Sequence, residues 1–409
     1  MSGSSTSSGD PTSVTTGPGG TSTGSPPSTA AGRVTLPGAN LTALRDHNAA
    51  TVLSLVRAAS TGGAAEHADG AGQTTDAAGQ TEAVGGTGIS RVELARESGL
   101  TAQAISKIVQ RLTEDGLLAE TGRGASTGGK PRTLLSLVPD ARWAVGVQLG
   151  RDELTVLRAD LAGRVMAARH VPIDLAGWGP RPVLDLLGEQ VDLLLGALPR
   201  DRVLGVGIAS PGPLDQRGGV LHDVTGAPSW TGLPLRDEVE RRLGLPTLIE
   251  KDSTAGVLSA LGSPNRAFVH LDRGLGAGLV LGGAVQRGAR TNAGEFGHQM
   301  LDPTGPRCRC GNAGCVEALW AAAPTPTAAA RVLGEAIANL VRLLDLDEIV
   351  LGGREVLAAP DLYLTEIRGS LAARLPDPAW QTVTLSVAPS GPDAVALGAA
   401  GLVLTRLFG

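Results

Sequence analysis

The chain has 409 residues, too long for one typical domain, so two or more are expected. Its net charge of −5 confines any nucleic-acid surface to a local patch, and with aromatics at 2% the core must come from Leu, Val, Ile and Ala. Three cysteines cannot all pair within the chain, and neither an apolar run of about 18 residues nor a signal-peptide pattern is evident, so a reduced, cytoplasmic protein with no membrane partner is expected.

Residues 1–37 are mostly Ser, Thr, Gly and Pro, with almost no large apolar side chain. Such a segment cannot bury enough surface to offset its ordering entropy, so a disordered tail is expected. From Leu41 to Ser60 apolar residues recur at helical spacing, with Leu41, Leu44, Val52, Leu53, Leu55 and Val56 on the repeat. Residues 61–88 show no periodicity and read as a flexible insertion, which a fold tolerates because loop-closure entropy grows slowly with length. "SRVELARESGL" predicts a short helix capped by Ser90 and ended by Gly99. "TAQAISKIVQRLTEDGLL" predicts a second helix with Thr101 as N-cap. Ile105, Ile108, Val109 and Leu112 form its inner stripe, leaving Ala102, Gln103, Ser106, Lys107 and Gln110 outward. Two extended runs, 118–120 and 133–137, then flank a Gly-rich tip carrying Arg123, Lys130 and Arg132, the pattern of a β-wing.

A helix, a tight turn and a helix with a small, polar exposed face make a helix-turn-helix arrangement. Thr101, Gln103, Ser106, Lys107 and Gln110 can approach base edges of double-stranded DNA, while Arg123, Lys130 and Arg132 suit phosphates or the minor groove. The alternative is a helical hairpin serving as a dimer interface. The wing and its basic tip, in the right order, favour DNA. A winged helix-turn-helix domain is therefore expected over residues 38–138.

From about Asp140 strands and helices alternate, as in α/β layers. "RWAVGVQLGRDELTVLRADLAGRVMAARHVPI" predicts three antiparallel strands. "VLDLLGEQVDLLLGAL" is a helix, and "VLGVGIASPGPLD" a buried strand entering a loop at Pro211 and Gly212. "TLIEKDSTAGVLSAL" reads as strand, loop and helix. "AFVHLDRGLGAGLVLGGAVQRG" is a hairpin with a Gly-rich turn. A long helix and a strand follow in "AAARVLGEAIANLVRLLDLDEIVLGG", and "DAVALGAAGLVLTRLFG" closes the chain as a helix.

All three cysteines, Cys308, Cys310 and Cys315, fall in "GEFGHQMLDPTGPRCRCGNAGCVEAL", with His298 ten residues before the first. Thiolates at C-x-C-x4-C spacing plus an imidazole supply the four ligands of a structural Zn2+ site. Gly311 and Gly314 let the backbone turn tightly between them. The bland alternative is a set of inert buried cysteines, but clustering beside His and Gly favours zinc.

From Leu41 onward the chain resembles the ROK family (repressors, open reading frames and sugar kinases). "LRDHNAATVLSLV", "SRVELARESGLTAQAISKIVQRLTEDGLL" and "GGKPRTLLSL" are similar to the winged-helix half of ROK repressors. "GIASPGPLD", "GEFGH", "CRCGNAGCVE" and "IANLVRLLDLDEIVLGG" are similar to the ROK domain. The resemblance implies an actin-like sugar-kinase fold, two α/β lobes around a cleft, over residues 139–409. It agrees with the zinc site. It also implies that Glu295, His298 and Glu317 contact a sugar, with His298 touching metal and sugar through its two nitrogens. For Glu317 the competing role is a helix-start carboxylate. With Pro211, Gly212, Lys251 and Asp252 these residues form the expected effector site.

A sugar kinase needs a base and a cradle for nucleotide phosphates. Asp252 stands where ROK kinases carry their base, but Lys251 replaces the preceding Asn; a neighbouring cation should favour the ionised carboxylate. Family members carry a motif like Asp-x-Gly-Gly-Thr, against which this chain places Gln148, Arg151 and Asp152 at the Asp, second Gly and Thr positions. Asp272 and Arg273 stand where a Gly-Thr pair is usual. Both phosphate elements are thus degraded, and no enzymatic activity is expected. The expected function is a transcriptional regulator, a repressor, that senses a sugar or phosphosugar and reads a palindromic operator as a homodimer or homotetramer in the nucleoid. The alternative is an ATP-dependent sugar kinase with an appended DNA-binding domain; a ligand-insensitive DNA-binding scaffold is a third option.

Overall fold

The computed structural model describes residues 41–65, 88–123, 132–224, 226–259, 262–375, 377 and 380–408. The expected tail, most of the 61–88 insertion and the wing-tip residue Lys130 lie outside the described residues.

The N-terminal elements are α1 (Leu41–Ala65), β1 (Ile89–Ser90), α2 (Arg91–Ser98), α3 (Ala102–Glu114), β2 (Leu118–Arg123) and β3 (Thr133–Leu137). Two features differ from the sequence expectation. Helix α1 continues through Thr61–Ala65, into the segment read as insertion. Ile89 and Ser90 pair with Leu135 and Leu134, adding a third strand in the order β1-β3-β2. The caps are as expected. Ser90 and Glu93 form a reciprocal capping box, Gly99 ends α2 in the left-handed region at φ 69°, and Thr101 accepts from the Ala104 backbone N–H. Ile105, Val109 and Leu112 are buried on the inner face of α3 against Val52, Leu53 and Val56 of α1.

The larger part consists of two sheets built on one plan. In the first lobe, β4 (Trp143–Leu149), β5 (Glu153–Asp160) and β6 (Val165–Pro172) form an antiparallel meander. Helices α4 (Leu175–Trp178) and α5 (Pro180–Leu195) precede β7 (Val203–Ser210). After the small hairpin β8 (Leu214–Asp215) and β9 (Val220–Leu221), α6 (Leu235–Leu243) leads to β10 (Thr247–Lys251). Strands β7 and β10 lie parallel to β4, giving the order β10-β7-β4-β5-β6. Helix α7 (Asp252–Val257) then crosses to the second lobe. No loop separates β10 from α7, contrary to the sequence expectation, so Asp252 is the first residue of a helix.

In the second lobe β11 (Arg266–Leu271), β12 (Leu275–Leu281) and β13 (Ala284–Val285) repeat the meander. Helices α8 (Val316–Ala321) and α9 (Pro326–Leu344), strand β14 (Glu348–Gly352), helices α10 (Arg354–Ala358) and α11 (Pro360–Arg374) and strand β15 (Thr384–Val387) complete it. Strands β14 and β15 run parallel to β11 in the order β13-β12-β11-β14-β15. The last helix, α12 (Ala394–Phe408), returns to the first lobe.

Gly391–Phe408 is long and apolar enough to pass for a membrane span by length and composition, which corrects the expectation that no such run exists. The helix is instead packed inside the fold. A Cβ at Gly398 would run into the Ala255 carbonyl of α7, so the two helices touch backbone to backbone. Its other end, Val403, Leu404 and Phe408, joins one apolar cluster with Val52, Leu53 and Val56 of α1. Ser54 Oγ donates to the Phe408 carbonyl at 2.8 Å, and the Arg57 guanidinium lies 4.8 Å from the Phe408 ring centroid.

Candidate functional site

All seven expected effector residues, Pro211, Gly212, Lys251, Asp252, Glu295, His298 and Glu317, line one cavity of about 510 Å³. Strand β10 ends at its floor. Lys251 is the last residue of β10 and Asp252 the first of α7, and the two neighbours take different partners. Lys251 is 5% exposed, and its Nζ donates to Glu295 Oε1 at 2.5 Å and to the Ala293 carbonyl at 3.0 Å. The lysine therefore does not pair with Asp252, as its position next in sequence suggested. Asp252 accepts the Ser253 backbone N–H at 2.6 Å through one oxygen, and the other lies 4.0 Å from His270 Nδ1. Sequence reasoning missed His270, a buried imidazole near the end of β11 that lines the same cavity. The signal was present: one titratable residue inside the apolar run "AFVHL". Glu317 sits in the first turn of α8 and accepts the Leu275 backbone N–H at 3.2 Å, so the helix-start role weighed for it is partly realised.

His298, Cys308, Cys310 and Cys315 converge, with one ligand atom from each lying within 4.8 Å of all the others. Cys310 Sγ and Cys315 Sγ are 3.6 Å apart, and Cys308 Sγ is 3.5 Å from His298 Nδ1. With metal–sulfur bonds of about 2.3 Å, a tetrahedral site has ligand separations of roughly 3.7 Å, so the four donors fit such a cation. Gly314 sits at φ 66°, where a Cβ would strike the Asp302 carbonyl; this close approach seats the third cysteine. Burial pushes the Cys315 thiol up to about 12, whereas the Asn312 backbone N–H lowers Cys310. A divalent cation would have to displace the Cys315 proton on binding. His298 turns Nδ1 to the thiols and leaves Nε2 3.9 Å from Glu295 Oε2, beside the cavity. A cation held by the first nitrogen would fix the second toward the cleft.

The positions at which the phosphate motifs were expected to depart come together. Gln148, Arg151, Asp272 and Arg273 line the cavity, and Asp152 stands beside them in the β4–β5 turn. Arg354, which sequence reasoning missed, grips Asp152 through both nitrogens at 2.7 and 2.6 Å. Arg273 adds a contact at 3.2 Å, and Arg354 lies 3.5 Å from Asp272. These hydrogen bonds, led by Arg354, hold Asp152 down to about 2.

At the other end of the chain Gln103, Ser106, Lys107 and Gln110 are exposed on α3, as is Arg132 at the start of β3. Ser106 Oγ donates to the Ala102 carbonyl and Gln110 Nε2 to Glu114. The Thr101 hydroxyl is engaged as the α3 cap. Arg123 ends β2, and its side chain lies outside the described residues.

The description "ROK family" fits residues 144–324 and 320–406, and "Winged helix-turn-helix DNA-binding" fits residues 88–119. This chain belongs to the ROK family. Among curated ROK relatives, the putative xylose repressor of Caldicellulosiruptor sp. (strain Rt8B.4) is 28% identical over 78% of this chain and 92% of its own length. The xylose repressor of Bacillus subtilis (strain 168) is 27% identical, covering 56% of this chain; the match spans 61% of that protein, about three fifths of its length. The DNA-binding transcriptional dual regulator NagC of Escherichia coli (strain K12) is 30% identical over 57% of this chain and 59% of its own. Among solved structures, a ROK family transcriptional regulator described as a homologue of the E. coli MLC protein superposes with a TM-score of 0.67 at 23% identity, covering 89% of this chain and 98% of that one; at that identity it shows the fold. The ROK hexokinase of Thermus thermophilus gives a TM-score of 0.53 at 30% identity, covering 64% of this chain and 97% of its own.

Proposed function

We propose that this chain is a DNA-binding transcriptional regulator, a repressor, whose ROK domain (residues 139–409) binds a sugar or sugar derivative and whose winged helix (residues 38–138) reads DNA. The observation that carries this reading is the state of the cleft. Groups suited to sugar hydroxyls, His298, Glu295 and Asp252, line the cavity, while Asp152, at one phosphate-motif position, is bonded to Arg273 at another and to Arg354. A cosubstrate's phosphates would find Arg273 and Arg354 already bonded to the Asp152 carboxylate and would have to displace it. The named relatives, all repressors or transcriptional regulators, support the same reading.

In this reading α3 enters the major groove with Gln103, Ser106, Lys107 and Gln110 toward base edges, and Arg123, Lys130 and Arg132 contact the backbone or minor groove. A homodimer or homotetramer presents two such helices to a palindromic operator. The sugar sits between the lobes on Glu295, His298, Asp252 and the Pro211-Gly212 loop. His298, Cys308, Cys310 and Cys315 hold a structural Zn2+, which supplies rigidity and orients His298. The sugar shifts the lobe arrangement by binding one state better than the other. Helix α12 spans from α7, which begins at Asp252, to α1 of the winged helix, and offers a packed route for that shift.

The test is operator selection from random DNA followed by titration. Lys107→Ala and Gln103→Ala should each weaken the selected site by about 1–3 kcal/mol while leaving thermal unfolding unchanged. Full affinity in both variants would refute α3 as the reading helix. Retention of Asp252 in the cavity favours a second reading, a sugar kinase with an appended DNA-binding domain. Coupled ATP turnover on common hexoses, abolished by Asp252→Asn, would establish it and overturn the first.

A further inference from the structure

Two guanidiniums of the second lobe meet one carboxylate of the first. Arg273 comes from the β11–β12 turn, Arg354 from the start of α10, and Asp152 from the β4–β5 turn. Forked planar donors that converge on a point form the donor set for a phosphate-like oxyanion. A guanidinium carries about five N–H donors, and a carboxylate offers about four lone-pair positions, so one carboxylate cannot saturate the pair. The arginine side chains remain 65% and 49% exposed, leaving donor surface open beyond Asp152. The spot lies at the rim of the cavity, next to Gly274 and Gly276, with the Ser253 side chain close behind Gly276 and the Glu317 carboxylate bonded to the Leu275 N–H of the same turn. Asp272 adds a second carboxylate at 3.5 Å from Arg354, but Arg354 makes its bidentate contact with Asp152.

We propose that Arg273 and Arg354 form an oxyanion site of the phosphate or pyrophosphate class, and that Asp152 occupies it as a tethered internal ligand. The tether is stiff. Gly150 N donates to the Glu153 carbonyl at 2.9 Å, Ile173 N to the Asp152 carbonyl at 3.0 Å and Leu175 N to the Arg151 carbonyl at 2.9 Å. A carboxylate held in place by its own backbone competes at high effective concentration, so a free anion is displaced without loss of the arginine contacts. Because Asp152 and the arginines belong to different lobes, the same bonds clasp the cleft. Closure that would otherwise need a bound anion is supplied by the chain itself. The inference goes beyond the regulatory reading and stands whether or not the winged helix binds DNA.

The test is calorimetric titration of the full chain with sodium pyrophosphate at low ionic strength. Wild type is expected to show no binding at millimolar pyrophosphate. Asp152→Asn, which keeps the shape and removes the charge, should gain binding at least tenfold over wild type, and Asp152→Asn/Arg354→Ala should lose that gain. Asp152→Ala provides the same comparison should the Asn variant melt early. Pyrophosphate binding to wild type equal to that of both Asp152 variants would overturn the proposal. So would a gain that survives Arg354→Ala, or no gain in either Asp152 variant. A failure here leaves operator binding untouched and so separates the two readings.

Discussion

The two ends of the cleft use the same kinds of groups, carboxylates and cations, and differ in what those groups bond to. At the end formed by the 295–298 turn and the cysteine loop, His298 is oriented from behind by the thiols and keeps Nε2 toward the cavity. Glu295 gives one oxygen to Lys251, and its other lies 3.9 Å from His298. Polar capacity there is positioned and still available to a ligand. At the other end, Asp152 pairs with Arg273 and Arg354 across the lobes, and its carboxylate occupies the point on which both guanidiniums converge. One end keeps polar atoms turned to the cavity, and at the other the facing groups pair across the lobes.

The most forceful way to break this comparison is to remove the support behind His298. Cys310→Ser should empty the metal site, which metal analysis of the purified protein would read as a fall from near-stoichiometric zinc to background. Loss of a structural metal belongs among the largest single-site effects, roughly 4 kcal/mol or more, and should show as a large drop in melting temperature. A wild-type protein that purifies without metal would overturn the site and leave the ligand-facing end without its support. A smaller effect is expected from Lys251→Met. The variant leaves Glu295, whose side chain is 39% exposed, without its cation, at a cost of about 1 kcal/mol. Adding Glu295→Gln should recover much of that loss in denaturant melts. No recovery would mean that Lys251 acts through packing, and the contrast between an open end and a closed end would weaken.

The difference between the ends also decided what could be read from sequence. The ligand-facing end was legible because its signals are local: three cysteines and a histidine within eighteen positions, with Glu295 on the same turn. The winged helix was legible for the same reason, since caps at Ser90 and Thr101 and the period of Ile105, Val109 and Leu112 are short-range patterns. The closed end was not. Arg354 lies 202 residues from Asp152 and looks like any helix-start arginine. The departures at Arg151, Asp152, Asp272 and Arg273 were visible in the sequence, yet the pairing of Asp152 with Arg273 and Arg354 depends on how two sheets of like plan face each other. Lys251 failed for a related reason: its partner is 44 residues away, and the chain passes from β10 into α7 between it and the neighbour that sequence offered. Helix α12 was legible as a helix, but its junction between cleft and winged helix follows only from packing against Ala255 at one end and α1 at the other.

The smallest effect probes the closed end alone. Asp152 is held below its ordinary 3.8, at about 2, chiefly by the Arg354 hydrogen bonds. A carboxylate with a depressed folded-state value stabilises the fold at pH above its unfolded value, and that contribution fades as pH falls from about 4 toward 2. The pair is partly solvent-exposed, so screening should keep it under about 1 kcal/mol. Wild type should therefore melt slightly above Asp152→Asn from pH 7 down to about 4, with the gap closing on further acidification. Because other carboxylates titrate in both proteins, only the difference between the two curves carries the signal. Added salt should narrow the gap at neutral pH, since exposed charges are screened over about 10 Å at 0.1 M. A gap that ignores both pH and salt would mean that Asp152 contributes through shape, and the ionic clasp across the lobes would be refuted.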